Sequence, residues 1–295
     1  RLAAVIPDPS APPRPRSFWA RAFEWLTGGS LGDDRAEALE RPFGVAVAPD
    51  DTLLVADPDA GALFRLQASG ELQRLRCSTS EWSAPMAVAM GPDGAIYVAD
   101  AGLAAIVKVV GGACTILGRD AFERPTGVAV AGDRIFVADP PRHQVVALSL
   151  DGAVLSRWGT QGSGAGQFAF PSAIALAPDG TLLVTDALNF RVARIDREGK
   201  WIGAFGTPGD VGGQFSRPKG IASAEDGSIF VSDAQRDTLL VFSADGQFQF
   251  TIGAPGEGPG QFALPSGLAI ARNRLFVADS QNRRIQVFEL PGGSP

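Results

Sequence analysis

The feature that most restricts what this chain can become is a triple coincidence that occurs six times. Six prolines (Pro42, Pro85, Pro125, Pro171, Pro218, Pro265) lie 43, 40, 46, 47 and 47 residues apart. Fourteen or fifteen residues after each stands an aspartate: Asp57, Asp100, Asp139, Asp186, Asp233 and Asp279. Three residues before each stands a large apolar side chain: Leu39, Trp82, Phe122, Phe168, Phe215 and Phe262. A period in the forties holds several short strands per unit, and such units stack as propeller blades. The expectation is an all-β, six-bladed β-propeller over residues 41–291.

Within each unit four strands can be placed. The first is small and apolar (Gly44 to Val47, Gly220 to Ser223, Gly267 to Ile270), which suits a crowded centre. The second ends on the repeated aspartate, as in Ile135 to Asp139, and the third is exemplified by Ile285 to Phe288. The fourth is exemplified by Gln247 to Ile252 and leads through a Gly-rich crossing to the next proline. Asp-Gly pairs at Asp93, Asp151, Asp179, Asp226 and Asp245 supply tight turns.

The last unit stops at Leu290-Pro291 after three strands, and an open ring would expose a sheet edge. Residues 1–40 form an N-terminal arm that can solve this: Leu2 to Ile6 is the candidate sixth outer strand. Pro7 to Arg16, with five prolines in ten residues, reads as an extended connector. Ser17 then caps an expected amphipathic helix over residues 17–26, with Phe18, Trp19, Ala22, Phe23 and Leu26 on one stripe. That stripe is expected to pack on the chain's own body. The chain begins at Arg1, which fits processing or trimming, a removed secretion signal among the possibilities.

Three stretches carry a family resemblance: PTGVAV with RIFVAD, PSGLAI with RLFVADSQNRRIQVF, and GQFSRPKGIASAEDGSIFVSD. These resemble NHL repeats, and the likeness extends over about residues 39 to 290. The arm followed by a propeller is similar to bacterial envelope and secreted NHL proteins. The resemblance implies an extracytoplasmic location, a lipid anchor upstream of this chain, and a non-catalytic role holding another envelope or extracellular protein. NHL loops pair Asn and Arg three and five residues after the aspartate. Blade four keeps both (Asn189, Arg191), as does blade six (Asn282, Arg284). Blade three has Arg142 and Gln144, and blade five has Arg236 and Thr238. Blades one and two carry Ala60 with Ala62 and Leu103 with Ala105. The Asp–Arg pairs read as loop pins. The small apolar loops of blades one and two, with Arg142, Arg191, Arg236 and Arg283, form the candidate partner surface.

Chemistry is weakly signalled. His143 is the single histidine, which excludes a multi-histidine zinc site of the kind used by amidating lyases sharing this propeller. No nucleophile elbow surrounds it. The repeated aspartates follow from the repeat, so no catalytic, cofactor or metal residue is assigned. A propeller hydrolase or lyase with a cation in the central channel remains the alternative. RNA binding through the arginine-bearing loops is another, opposed by a net charge of −6. Forty-five per cent hydrophobic residues with 36 glycines and 22 prolines suit short strands and turns, and no apolar run is long enough to span a membrane. Cys77 and Cys114 can be bridged only if their Cα atoms come within about 7 Å; otherwise they are two buried thiols.

Overall fold

The computed structural model describes residues 1–6, 38–67, 70–77 and 82–290. The expected helix over residues 17–26 and the connector over residues 7–16 lie outside them. Six four-stranded antiparallel sheets form six blades. Their innermost strands are Gly44–Val47, Pro85–Met90, Gly127–Ala131, Pro171–Leu176, Pro218–Ser223 and Pro265–Ala271. No α-helix occurs among the described residues; two 3₁₀ turns, Pro140–Arg142 and Ala187–Asn189, lie in the loops after Asp139 and Asp186.

The second strands (LLVAD, IYVAD, RIFVAD, LLVTD, IFVSD, RLFVAD) are almost wholly buried, because neighbouring blades cover both faces. The fourth strands are the opposite: in Phe248–Ile252 no residue is buried. The repeated large residue fills the seam between blades. Phe215 is fully buried, packs against blade four through Leu183 and Val192, and its ring lies 5.5 Å from Phe242 of blade five. Phe168 and Phe262 occupy the equivalent seams between blades three and four and blades five and six. Phe122 and Leu39 are also buried, while Trp82 is half-buried and donates its indole N–H to the Leu75 carbonyl at 2.6 Å.

The innermost strands approach so closely that side chains do not fit. A Cβ on Gly220 would fall 2.0 Å from the Ser266 carbonyl oxygen, and one on Gly267 would fall 2.3 Å from that of Phe43. The ring closes at this level: Gly267 N–H donates to the Phe43 carbonyl at 2.7 Å, and Ser280 Oγ donates to that of Pro42 at 2.7 Å. At the rim the N-terminal strand Leu2–Ile6 joins the last sheet in the order expected, antiparallel to Arg284–Glu289. The fold is therefore the anticipated one, including the N-terminal closure.

Cys77 and Cys114 are joined in a disulfide, with Cα atoms 5.4 Å apart. The bond ties the chain just beyond the outer strand of blade one (Leu72–Leu75) to the outer strand of blade two (Ala113–Leu117). Two buried thiols are not what the fold contains.

Candidate ligand site at the channel mouth

The six repeated aspartates are all fully buried, and each is consumed by its own blade. In blades one, two, three and five the carboxylate accepts the two backbone N–H groups just before the proline. Asp57 takes those of Glu40 and Arg41, Asp100 those of Ser83 and Ala84, Asp139 those of Glu123 and Arg124, and Asp233 those of Ser216 and Arg217. Blades four and six differ. Asp186 is held by Asn189 Nδ2 at 2.7 Å and Arg191 Nε at 2.8 Å, and Asp279 by Asn282 Nδ2 at 2.9 Å and Arg284 Nε at 2.7 Å. With those donors in place, each takes only one of the two N–H groups, from Ala169 and Ala263. Burial pushes the Asp186 carboxyl above the ordinary carboxylate range, against the pull of Asn189, the Ala169 N–H and Arg191.

This difference goes with a different backbone at the channel mouth. In blades four and six the residue before the proline, Phe170 or Leu264, turns left-handed (φ 65° and 53°). Their N–H groups go instead to Nδ1 of His143 at 3.2 Å and to Oδ1 of Asp237 at 2.6 Å. A non-glycine residue in that region before a proline is strained backbone, stabilised here by those two bonds. In blades one, three and five the same position is an arginine: Arg41, Arg124 and Arg217. Alternate blades thus present cation and apolar group, with Ala84 in blade two.

Behind this rim the channel opens into a cavity of about 740 Å³. Its walls carry four cationic side chains (Arg41, Arg124, Arg217, Lys219) and apolar ones such as Phe43, Phe170 and Leu188, and among the described residues no carboxylate or histidine lines it. Arg41 pairs with Asp59 at 3.0 Å, both half-exposed, a weak contact in solvent. Arg124, Arg217 and Lys219 form no ion pair among the described residues. The Lys219 ammonium sits 4.1 Å from the centroid of the Phe43 ring. Burial, with Arg217 and then Arg41 nearby, lowers its pKa from 10.5 to about 7.

The residues singled out from sequence sit elsewhere. Ala62 and Ala105 are 0% and 1% exposed and face the core as strand residues opposite Asp57 and Asp100, so they contribute to no surface. Ala60 and Leu103 pack against core clusters. Arg191 donates to the carbonyls of Ser163, Gly164 and Gln167, Arg236 to those of Val211 and Gln214, and Arg142 to that of Ala121. These arginines staple loops to the Gly-rich crossings. Arg283 is exposed on the blade-six loop. The four channel cations were missed, although they stand in the columns flanking the repeated proline, where an alignment of the six units against one another displays them.

Fold and site together define a six-bladed β-propeller with a cationic, apolar-walled channel mouth. The sequence matches the virginiamycin B lyase family over residues 35–270, and the chain belongs to that family. An NHL repeat is also matched, over residues 262–288. No curated protein matches the chain. Among solved structures, a gluconolactonase from Xanthomonas campestris superposes with a TM-score of 0.70 at 21% identity, covering 99% of each chain. A catalytically inactive histidine-to-alanine variant of virginiamycin B lyase from Staphylococcus aureus with Quinupristin gives 0.64 at 17% identity, covering 88% of this chain and 87% of that one. An auxiliary nutrient binding protein from Bacteroides ovatus gives 0.68 at 14%, covering 85% and 69%. At these identities the likeness is one of fold.

Proposed function

We propose that this chain is a non-catalytic binding propeller of the bacterial envelope or exterior, holding a partner protein on its loop face. The observation that carries the reading is the donor set of the channel. A catalytic Ca²⁺ would need several oxygen ligands converging at about 2.3–2.6 Å, and zinc would need imidazole, thiolate or carboxylate ligands. Among the described residues the cavity wall offers neither acid nor histidine, and the six repeated carboxylates are buried and spent on backbone N–H groups or on loop Asn and Arg side chains. Among the described residues no group of three His, Cys, Asp or Glu side chains is placed to hold a metal. The Staphylococcus aureus lyase is inactive when one histidine becomes alanine. Here the single histidine accepts the Phe170 N–H and does not line the cavity.

The Cys77–Cys114 disulfide supports the location, since structural disulfides persist in oxidising compartments. RNA binding loses its main support, because Arg142, Arg191 and Arg236 are engaged in loop carbonyls. The test is elemental analysis of the purified protein with melting curves before and after chelation. The reading predicts less than about 0.1 equivalent of Ca²⁺ or Zn²⁺ and an unchanged melt. One stoichiometric ion whose removal lowers the melting temperature would overturn it.

A further inference from the structure

We propose that the channel mouth is a binding site for a small organic anion, one carrying a carboxylate, sulfonate or phosphate group on an apolar body. The inference rests on and deepens the reading of the protein as a binder rather than an enzyme.

Three observations converge. The first is charge: Arg41, Arg124, Arg217 and Lys219 all line one cavity, whose wall holds no carboxylate among the described residues, and only Arg41 meets one, Asp59, outside it. In a protein of net charge −6, grouping four cations there runs against the overall balance. The second is that they are held in place from the backbone. The N–H groups of Arg41, Arg124 and Arg217 are each fixed on a fully buried aspartate at 2.9–3.0 Å, so the guanidinium stems start from rigid points. Lys219 of blade five leans on the Phe43 ring of blade one. The third is the apolar component: Phe170 is 38% exposed and Leu188 62% exposed, on the blade between Arg124 and Arg217. An apolar body can cover those side chains while its acidic group meets the cations. A volume of about 740 Å³ is the size of a small-molecule pocket, whereas a flat docking surface would enclose no such space.

Apart from the solvent-exposed Arg41–Asp59 contact, the cluster has no ion-pair partner among the described residues. Burial with Arg217 and Arg41 beside it depresses Lys219, and among the described residues no acid lines the cavity with it from blade one, from its own strand or from the neighbouring wall. An anion would relieve that repulsion and restore the proton on Lys219, so binding should weaken as pH rises through about 7 and beyond.

The experiment uses two dyes of similar shape, anionic 8-anilinonaphthalene-1-sulfonate and neutral N-phenyl-1-naphthylamine, titrated by fluorescence into the full chain. The site predicts one saturable anionic-dye molecule per chain. Arg124→Gln combined with Arg217→Gln should weaken the anionic dye about tenfold or more, since charge-assisted bonds are removed. The neutral dye should change by less than about twofold, because its contacts are apolar. Lys219→Met should abolish the loss of anionic-dye affinity between pH 6 and pH 9, where a guanidinium does not titrate. Arg283→Gln, on the exposed blade-six loop, is the control and should leave both dyes unchanged. Equal weakening of both dyes, an equal effect of Arg283→Gln, or no saturable anionic binding would overturn the proposal. A failure of this kind would leave the non-catalytic reading intact. A stoichiometric metal would break that reading without touching the dye result.

Discussion

Arg284→Ala tests how the loop face is built. The Arg284 side chain is 10% exposed and meets a fully buried carboxylate through Nε–Oδ2 at 2.7 Å. Its other nitrogens donate to the carbonyls of Glu257, Gly258 and Gln261 at 2.6, 2.8 and 2.9 Å. Truncation leaves the Asp279 charge buried without its cation, which costs about 3–5 kcal/mol, and removes a donor from three crossing carbonyls, of which Gln261 keeps the Gln286 amide. Arg142 serves as an internal comparison. It lies 3.8 Å from Asp139 and is 36% exposed, so Arg142→Ala should cost only about 1 kcal/mol. Unfolding entropy near 2.1 cal/mol/K per residue gives about 0.6 kcal/mol/K for 295 residues, so the Arg284 loss corresponds to about 5–8 °C in melting temperature. Urea titration and calorimetry of both variants measure the difference. If Arg284→Ala costs no more than Arg142→Ala, the pins are surface decoration and the explanation of Phe170 and Leu264 fails with them.

Cys77→Ser, or reduction of the disulfide, should lower stability by up to about 4 kcal/mol, the loop-closure value for a separation of 37 residues, read from the same urea curves; no change on reduction would contradict it. Gly220→Ala places a Cβ 2.0 Å from backbone that cannot yield, and should cost about 2 kcal/mol or more; a neutral effect would mean that the channel strands are looser than described. Lys219 has a folded pKa lowered from 10.5 to about 7. Between those values the unfolded chain holds a proton that the folded chain has released, so this residue makes stability rise with pH across the window. Lys219→Met should flatten that rise between pH 7 and pH 9.5, and an unaltered slope would assign the depressed lysine elsewhere.

How much was legible in the sequence depended on what the repeat encodes. The six blades, their strand boundaries and the aromatic seams follow from proline, aspartate and phenylalanine at fixed offsets, because each blade solves the same packing problem. Leu2–Ile6 was recoverable as the closing strand because a three-stranded last blade needs a partner. Two residues of the candidate surface, Ala62 and Ala105, lie in the core for a reason of periodicity. Both look like loop residues when aligned to Arg191, but they occupy the first position of a buried strand and are themselves covered. The arginines of the loops were visible, yet what they bonded to was not, since their acceptors are carbonyls 21–28 residues away in the chain. The channel cations were the opposite case. Arg217 and Lys219 flank one proline, but Arg41 and Arg124 come from blades one and three, and only ring closure brings all four to one cavity.

The most direct test of the account is an anion located in the channel itself. Crystals of the full chain soaked in selenate and measured at the selenium absorption edge should show an anomalous peak at the mouth, within hydrogen-bond reach of Arg124, Arg217 or Lys219. No metal density should stand on the axis. A channel empty of selenate while other basic sites are filled, or a bound cation in its place, would contradict the account.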